Sequence, residues 1–301
     1  MFRRYLLATL LAAVCVCSYA QIAVGHSAAD GGIGRYMEEV DYSHDPDYAV
    51  SYARDYKKIR PSAGISAGGT VSAAGPVHII NGVAPNMRDL GGWRIDGGHI
   101  AYWKLFRGAR LDRISGGGKD IFLNELGISV DLDLRGNNYS EAGALPVIEG
   151  VTYARFPVNK FLGRGTGNTE ELYQQAIRCI IGWLSQGKAV YFHCAQGADR
   201  TGTLAFLIEA LLGVSESDLS KDYELTTFCS RNTRLRNARA GLFENCVLYE
   251  MITYLRSYGY PQVQSINQLV FNWATTRHSD NVDPLTPEEI ELLKMYMSER
   301  D

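Results

Sequence analysis

A short glycine-bearing loop between a predicted strand and a predicted helix constrains this chain more than any other segment. The run AVYF (189–192) is apolar and rich in β-forming residues, which predicts a buried strand. The run LAFLIEALLG (204–213) is strongly helix-forming, and Gly213 is typical of a helix C-terminus. Residues 194–202 are therefore predicted to form a tight loop that joins a strand to the N-terminus of a helix.

This loop has the composition of an anion site that carries a nucleophile. The first turn of a helix leaves backbone N–H groups unpaired, and Gly197 and Gly202 would let further N–H groups converge on one point. A cysteine at such a place, Cys194, is stabilised as the nucleophilic thiolate. Arg200 offers a planar fork of donors that fits two phosphate oxygens. Together these residues predict phosphoryl transfer through a cysteinyl-phosphate.

Three ordered motifs carry a resemblance to a known family. HCAQGADRTG (193–202) resembles the H-C-x5-R-[ST] signature of cysteine-dependent tyrosine phosphatases, and in particular a bacterial tyrosine and dual-specificity group with H-C-x-x-G-K-D-R-T-G. NMRDLGGW (86–93) is similar to the opening motif of that group, and LFRGARLDRIS (105–115) followed by VDLDLRGNNYSEAG (130–143) is similar to its next two stretches. The resemblance runs from about residue 77 to residue 230. It departs at Ala198, where the group usually has lysine.

The resemblance implies a role for each residue of the signature loop, the name used here for residues 194–200. Cys194 is expected to be the nucleophile, and Arg200 to bind the phosphate and the flattened transition state. Thr201 is expected either to hydrogen-bond Cys194 or to cap the following helix. The expected phosphate-binding residues are Ala195, Gln196, Gly197, Ala198, Asp199, Arg200 and Thr201.

Other residues are expected to support the signature loop. His193 is expected to orient the loop and help keep the thiolate, and the upstream motif to brace the loop from outside. Asp133 is expected to be a bracing carboxylate rather than an acid. The expected supporting residues are His193, Asp133, Arg135, Asn86, Arg88 and Asp89.

The general acid is not where many tyrosine phosphatases have it. They take it from a loop after the strand that precedes the signature, and the corresponding stretch here, FPVNKFLGRGTGN (156–168), contains no aspartate or glutamate. Asp199 is expected to serve instead, as is thought for the related bacterial group. Asp133 is the second candidate, and a carboxylate of the C-terminal helical part is the third.

The pattern along the rest of the chain is that of an α/β fold. Strands are predicted at ISVDLDL (128–134) and TYARFPV (152–158), and a helix at residues 168–187, capped by Asn168 and Glu171. Beyond residue 214 the chain is predicted to be helical, ending in TPEEIELLKMYMSE (286–299). Alternating strands and helices predict a central, mostly parallel sheet flanked by helices. The resemblance implies the cysteine-dependent phosphatase fold with a helical C-terminal part.

Composition divides the chain into three parts. Residues 1–20 have two arginines, an apolar stretch and small residues at the cleavage spacing, which predicts a signal peptide cut before Gln21. Residues 21–76 are predicted to be an N-terminal extension, with five tyrosines between residues 35 and 58, and a linker rich in small residues. Residues 77–301 are predicted to form the phosphatase-like domain. The protein is therefore expected to be secreted or periplasmic, without stable membrane insertion.

Charge and cysteine content narrow the function classes. Removing residues 1–20 changes the net charge from −3 to −5, and no block of basic residues indicates nucleic-acid binding. The histidines and cysteines lack metal-site spacing, so neither a metal nor another cofactor is expected. Since a working Cys194 must stay reduced, at most one disulfide can form among Cys179, Cys229 and Cys246.

Two alternatives remain beside a tyrosine phosphatase that acts on a phosphotyrosine-containing protein or a small phosphomonoester. The first is a non-catalytic phosphotyrosine-binding pseudophosphatase, which would keep the anion nest but lose the chemistry. The second is a phytase-like cysteine phosphatase for inositol polyphosphates, whose dense charge favours a strongly basic cleft.

Overall fold

The computed structural model of the chain describes residues 64–65, 78–136, 146–159, 161–164, 168–226, 247–259 and 265–300. The predicted signal peptide lies outside these ranges, as do Cys229, Cys246 and all but two residues of the predicted extension and linker. Those two, Gly64–Ile65, form a short strand inside the stretch predicted as a linker. Cys179 and Cys194 are free thiols. In the ranges described, no helix has both the length and the apolar composition that crossing a bilayer requires.

Ten strands and seven α-helices form in these ranges. The strands are β1 (Gly64–Ile65), β2 (Ile79–Ile80), β3 (Arg88–Asp89), β4 (Arg94–Ile95), β5 (Gly98–Ile100), β6 (Leu105–Gly108), β7 (Ile128–Asp133), β8 (Thr152–Arg155), β9 (Ala189–His193) and β10 (Ser298–Arg300). The helices are α1 (Gly116–Asp120), α2 (Thr169–Leu184), α3 (Asp199–Leu212), α4 (Glu216–Leu225), α5 (Val247–Leu255), α6 (Ile266–Ala274) and α7 (Pro287–Met297). A π-helical turn (Ile121–Glu125) follows α1, and a 3-10 turn (Arg256–Tyr258) follows α5.

The central sheet has seven strands in the order β1-β2-β3-β6-β9-β7-β8. Strands β6, β9, β7 and β8 run parallel, while β3 pairs antiparallel with β2 and β6. All five residues of β9 are buried, as expected for the middle strand of a parallel sheet covered on both faces. The expected fold class, a mostly parallel sheet flanked by helices, is confirmed. The carboxyl ends of the four parallel strands share one edge, where such folds bind their ligands.

Two helices pack on this sheet as the sequence pattern predicts. Helix α2 buries Leu172, Ala176, Ile177 and Ile180 on one face. Helix α3 is buried along its whole length except Asp199, and it ends at Gly213, whose φ of 92° is left-handed. A buried, well-packed α3 fixes the end of the loop that precedes it.

Several predicted boundaries were wrong. Helix α3 begins at Asp199 rather than near Leu204, because the amide of Gly202 already donates to the carbonyl of Ala198 (2.9 Å). The N-cap residue of α2, Asn168, makes no side-chain cap hydrogen bond. Helix α7 has the predicted capping box between Thr286 and Glu289 but ends at Met297, after which the chain turns into β10.

A second, smaller sheet ties the C-terminal part to the start of the domain. Strand β5 pairs antiparallel with β4 and with β10, so that Ile100 lies opposite Ser298. The amide of Ala101 also donates to the carbonyl of Met297 (2.6 Å). These contacts hold α7 against the helices that cover the central sheet.

Candidate active site

The tight turn after β9 depends on one glycine. Gly197 has a φ of +68°, which L side chains rarely adopt. A Cβ there would clash with the backbone of Gly108 in β6 and would lie 2.8 Å from the amide nitrogen of Ala109. Both the backbone conformation and the close approach to β6 therefore require glycine at position 197.

The N-terminus of α3 presents backbone amides without a capping side chain. The helix begins at Asp199, and its N-cap residue, Ala198, makes no side-chain cap hydrogen bond. The first amides of a helix have no acceptor within the helix, so an anion can accept from them. Ala195 and Gln196 are the more exposed residues of the loop, whereas Gly197 and Ala198 are buried.

Cys194 is the first residue after β9 and is only 3% exposed. Burial raises the pKa of its thiol, but the charge of Arg200 and hydrogen bonds from Thr201 and the amide of Gln196 outweigh it, so the pKa is lowered. A lowered pKa favours the thiolate, as the role of nucleophile requires. The structure therefore brings Cys194 and Arg200 together in the predicted way.

His193 lies fully buried beneath the signature loop. Its Nε2 is 2.9 Å from Oδ1 of Asp131, and its Nδ1 is 3.1 Å from the carbonyl oxygen of Cys194. Burial lowers the pKa of His193, but the charges of Asp131 and Asp133 and the hydrogen bonds raise it to about 9. A positively charged imidazole beneath the loop supports the predicted role of helping to keep the thiolate.

Arg200 bridges the ends of two parallel strands. Its Nη1 donates to the carbonyl oxygens of Leu134 (3.5 Å) and Val158 (3.3 Å), which follow β7 and β8. Its own carbonyl accepts from the hydroxyl of Tyr173 in α2 (3.3 Å). These contacts hold the guanidinium at the carboxyl edge of the sheet, close enough to lower the pKa of Cys194.

Asp133 and Arg135 form a buried ion pair at the end of β7. Asp133 accepts from Nε of Arg135 (2.8 Å) and from the hydroxyl of Tyr153 (2.9 Å). Burial raises the pKa of Asp133, but the charge of His193 and the hydrogen bonds from Arg135 outweigh it and lower the pKa. An ionised carboxylate whose oxygens already accept hydrogen bonds is a poor proton donor. This environment supports the bracing role of Asp133 over that of an acid.

Asn86 reaches the signature loop directly, as predicted. Its Nδ2 donates to the carbonyl oxygen of Gly197 (2.9 Å) and to Oγ1 of Thr226 (3.2 Å). Arg88 acts at one remove, since its Nη1 donates to Oδ1 of Asn86 (2.8 Å). Asn86 itself has a φ of 59°, a strained conformation that asparagine tolerates better than most residues.

The side chains that hold the outside of the signature loop are here called the brace. Asn86 and Arg88 belong to it, and so do two residues that the sequence did not predict. Arg107 donates through Nη2 to the carbonyl of Gly197 (3.3 Å), and Asp222 of α4 binds both Arg88 and Arg107. One signal could have pointed to Asp222. It lies at helical spacing from Leu219 and Thr226, so it is a charged residue on the buried face of its helix.

The hydrogen bonds of Asp89 run to turns near it in the sequence. Its carboxylate accepts from the amides of Gly91 (2.8 Å) and Trp103 (2.8 Å), so it holds the turns between β3 and β6 rather than the signature loop. Burial raises its pKa to about 7, although these amide donors act in the opposite direction. An aspartate two residues before a glycine satisfies a nearby turn amide, and that local bond prevailed over the long-range one.

Asp199 and Thr201 occupy the first turn of α3. Asp199 is the first helical residue and is partly exposed, so it can reach a bound substrate. Thr201 is fully buried inside the turn and is not the N-cap, which rules out the capping role. Its side chain instead favours the thiolate of Cys194, because it helps to lower the pKa of that thiol.

The loop after β8, residues 156–168 and here called the β8 loop, is described at residues 156–159, 161–164 and 168, and it is anchored by the core and by helix α5. Leu162 is fully buried in the core, and Arg164 pairs with Glu250 of α5. A Cβ on Gly163 would lie 3.0 Å from Cβ of Tyr254, so this loop approaches α5 closely. Helix α5 therefore contacts the β8 loop at Gly163 and Arg164.

A thiolate, an arginine and a row of helix-end amides at the carboxyl edge of this sheet form the kind of site that cysteine-dependent phosphatases have. The family model of the tyrosine phosphatase family matches residues 81–270, which include every site residue described above. The chain belongs to the tyrosine phosphatase family.

Two individual proteins can be compared with this chain. A protein of Cupriavidus necator, provisionally named a tyrosine-protein phosphatase, is 29% identical, and the match covers 46% of this chain and 59% of that protein. The matched part of this chain thus spans little more than half of that relative. The core catalytic domain of the PP-IP phosphatase SIW14 of S. cerevisiae aligns with a TM-score of 0.33 and 16% identity, over 46% of this chain and 81% of that structure. A TM-score this low does not relate the two folds.

Proposed function

We propose that this protein hydrolyses phosphate monoesters of tyrosine through a cysteinyl-phosphate. The observation that carries the proposal is the environment of Cys194, a buried thiol whose pKa is lowered by Arg200 at the uncapped N-terminus of α3. Such a place stabilises both a thiolate and the phosphate dianion that it attacks. Membership of the tyrosine phosphatase family supports the same reaction.

The reaction has two balanced steps. The Cys194 thiolate attacks phosphorus, a P–S bond forms, and the P–O bond to the phenolate breaks as Asp199 gives its proton to the leaving oxygen. Water then attacks phosphorus and gives a proton back to Asp199, and the P–S bond breaks to release phosphate and the thiolate. Arg200 and the amides of the signature loop bind the phosphoryl oxygens in both steps.

The charges around the site favour a singly phosphorylated substrate. Arg110, beside the loop, is 3.6 Å from Asp112, and Arg135 pairs with both Asp112 and Asp133. These arginines are thus matched by carboxylates, whereas an inositol polyphosphate would need a surplus of positive charge. Phosphotyrosine in a protein, or a small aryl phosphate, fits this balance better.

The test compares wild type with Cys194→Ser on para-nitrophenyl phosphate and on a panel of phosphotyrosine peptide, phosphoserine peptide, phosphoinositide and phytate. We expect turnover only by wild type, and the highest kcat/KM on the phosphotyrosine peptide. Equal rates for the two proteins would contradict the proposal that Cys194 is the nucleophile of an enzyme. A preference for phytate would contradict the proposed preference for phosphotyrosine. Binding of phosphotyrosine without turnover would indicate a pseudophosphatase.

Export is a further part of the proposal. The composition of residues 1–20 supports cleavage before Gln21 and a secreted or periplasmic location. Mass spectrometry of the protein from its own cells should find Gln21 at the N-terminus in an extracytoplasmic fraction. An intact Met1 in the cytoplasmic fraction would contradict export.

A further inference from the structure

The carbonyl groups on the outer side of the signature loop are held by side chains. Asn86 Nδ2 donates to the carbonyl of Gly197 (2.9 Å) and lies 3.4 Å from that of Gln196, and Arg107 Nη2 donates to Gly197 as well (3.3 Å). In a trans peptide the N–H points opposite to the C=O. Fixing these two carbonyls outward therefore turns the amides of Gly197 and Ala198 towards the inner side of the loop.

That inner side is where the ligand would bind. Cys194 accepts there from the amides of Gln196 and Thr201, and the uncapped end of α3 begins there. A phosphate bound by such amides depends on their direction, because a hydrogen bond weakens steeply when its angle falls. The contacts of the outer carbonyls therefore help to set the affinity of the inner amides for phosphate.

One carboxylate holds both guanidinium groups of this brace. Asp222 accepts from Nε of Arg88 (2.9 Å) and pairs with Nη1 of Arg107, and its backbone carbonyl accepts from Nη2 of Arg88 (2.7 Å). Arg88, Arg107 and Asp222 are all at most 1% exposed. Two buried guanidinium groups need a nearby carboxylate to stay in place, because removing one partner of a buried charge pair leaves an uncompensated charge.

We propose that Asp222 is a positioning residue for phosphate binding, acting through Arg107, and through Arg88 and Asn86, on the peptide between Gly197 and Ala198. Asp222 does not touch the substrate. It belongs to α4, and it couples the packing of that helix to the direction of two phosphate-binding amides. This inference rests on the proposed function, which supplies the phosphate.

Glu209 provides a matched control in the same cluster. It is fully buried in α3 beside Asp222, and burial, followed by the charge of Asp222, raises its pKa well above the usual value. The raised pKa favours the neutral carboxyl, which glutamine matches in shape and charge. Asp222→Asn removes a charge, whereas Glu209→Gln removes none.

The experiment measures tungstate binding to full-length wild type, Asp222→Asn and Glu209→Gln by calorimetry, well below each melting temperature. We expect the Kd of Asp222→Asn to rise about tenfold and that of Glu209→Gln to stay within about twofold. A purely structural role would lower the melting temperature and the fraction of binding-competent protein but leave the Kd unchanged. An unchanged Kd in folded Asp222→Asn would overturn the inference.

A second variant decides the matter if Asp222→Asn does not fold. Arg107→Lys keeps a positive charge beside Asp222 but loses the second donor of the fork, so its Kd for tungstate should also rise severalfold. An unchanged Kd in this variant would overturn the inference. Failure of wild type to bind tungstate and to hydrolyse para-nitrophenyl phosphate would overturn the proposed function, and the inference with it.

Discussion

The signature loop and the β8 loop follow strands of the same sheet at the same edge, yet they are held in different ways. The side chains of Asn86, just before β3, and of Arg107 in β6 donate to the carbonyls of the signature loop and leave its amides to face a ligand, and Asp222 of α4 holds Arg107 in place. The β8 loop is held by the apolar Leu162 and by a partly exposed ion pair, Arg164 with Glu250. The contacts of the signature loop set the directions of its hydrogen-bonding groups. The contacts of the β8 loop only fix the position of a segment beside the site.

The difference bears on the general acid. In many tyrosine phosphatases the loop corresponding to the β8 loop moves in with an aspartate, whereas here it has no acidic residue and is tied to α5. The two loops are joined where Arg200 donates to Val158. Because the β8 loop has no acidic residue, we expect the signature loop to supply the nucleophile, the phosphate-binding amides and the general acid.

The largest effect should come from the residue that joins the two loops. Arg200→Lys keeps the charge but loses the bidentate fork and the bond to Val158, so kcat/KM for para-nitrophenyl phosphate should fall about 10³-fold. Arg113→Lys, at an exposed site near the same edge, is the control and should keep wild-type activity. A loss below tenfold for Arg200→Lys would mean that the fork does not hold the transition state.

The buried charges beneath the signature loop should appear as a pH dependence of stability. The pKa of His193 rises from 6.5 to about 9 on folding, so its contribution is fully present below pH 6.5 and is lost as the pH rises through 9. The free energy of unfolding should fall by about 3 kcal/mol over this range. Urea denaturation of wild type and Asp131→Asn measures it, and the variant should show a flatter slope. Parallel slopes would rule out a charged His193.

The acid can be assigned by leaving-group dependence. Asp199→Asn should slow phosphotyrosine hydrolysis about 10²-fold but barely affect an aryl phosphate whose leaving group needs no proton. Initial rates on both substrates measure the ratio. Equal slowing would mean that Asp199 shapes the loop. The next variant would then be Asp133→Asn, which we expect to slow both substrates alike because Asp133 is ionised and saturated.

The smallest effect should come from the ion pair of the β8 loop. Glu250→Gln removes the partner of Arg164, whose side chain is 53% exposed, so the cost in unfolding free energy should stay below about 1 kcal/mol. Activity should change less than about twofold, because this ion pair only helps to position the β8 loop. Steady-state kinetics and thermal melting measure both quantities. A tenfold loss of activity with an unchanged melting temperature would show that the β8 loop works as a lid.

The sequence was informative where a contact is local. The strand, the turn at Gly197 and the helix ending at Gly213 follow from the single stretch 189–213, and residue type and hydrophobic period suffice there. The brace could be predicted only in part. Asn86 and Gly197 are 111 residues apart, and only motif resemblance linked them.

Long-range polar contacts are the part that residue patterns do not specify. Arg107 and Asp222 are 115 residues apart, and any of several buried-face polar residues could have met the arginine until the packing of α4 was known. Asp89 shows the converse. It lies in a motif that resembles a bracing one, but the turn amide of Gly91 is two residues away and costs no loop closure.

Strand β10 has a consequence for how the molecule is made. Its partner β5 is synthesised about 200 residues earlier, so on the ribosome the edge of β5 waits without its final neighbour while everything between them emerges. An unpaired strand edge is a place where other chains can attach. Three residues, Ser298–Arg300, close it once they leave the exit tunnel. The small sheet can therefore be completed only after the whole span between β5 and β10 has been made, and until then the edge of β5 is open to other chains.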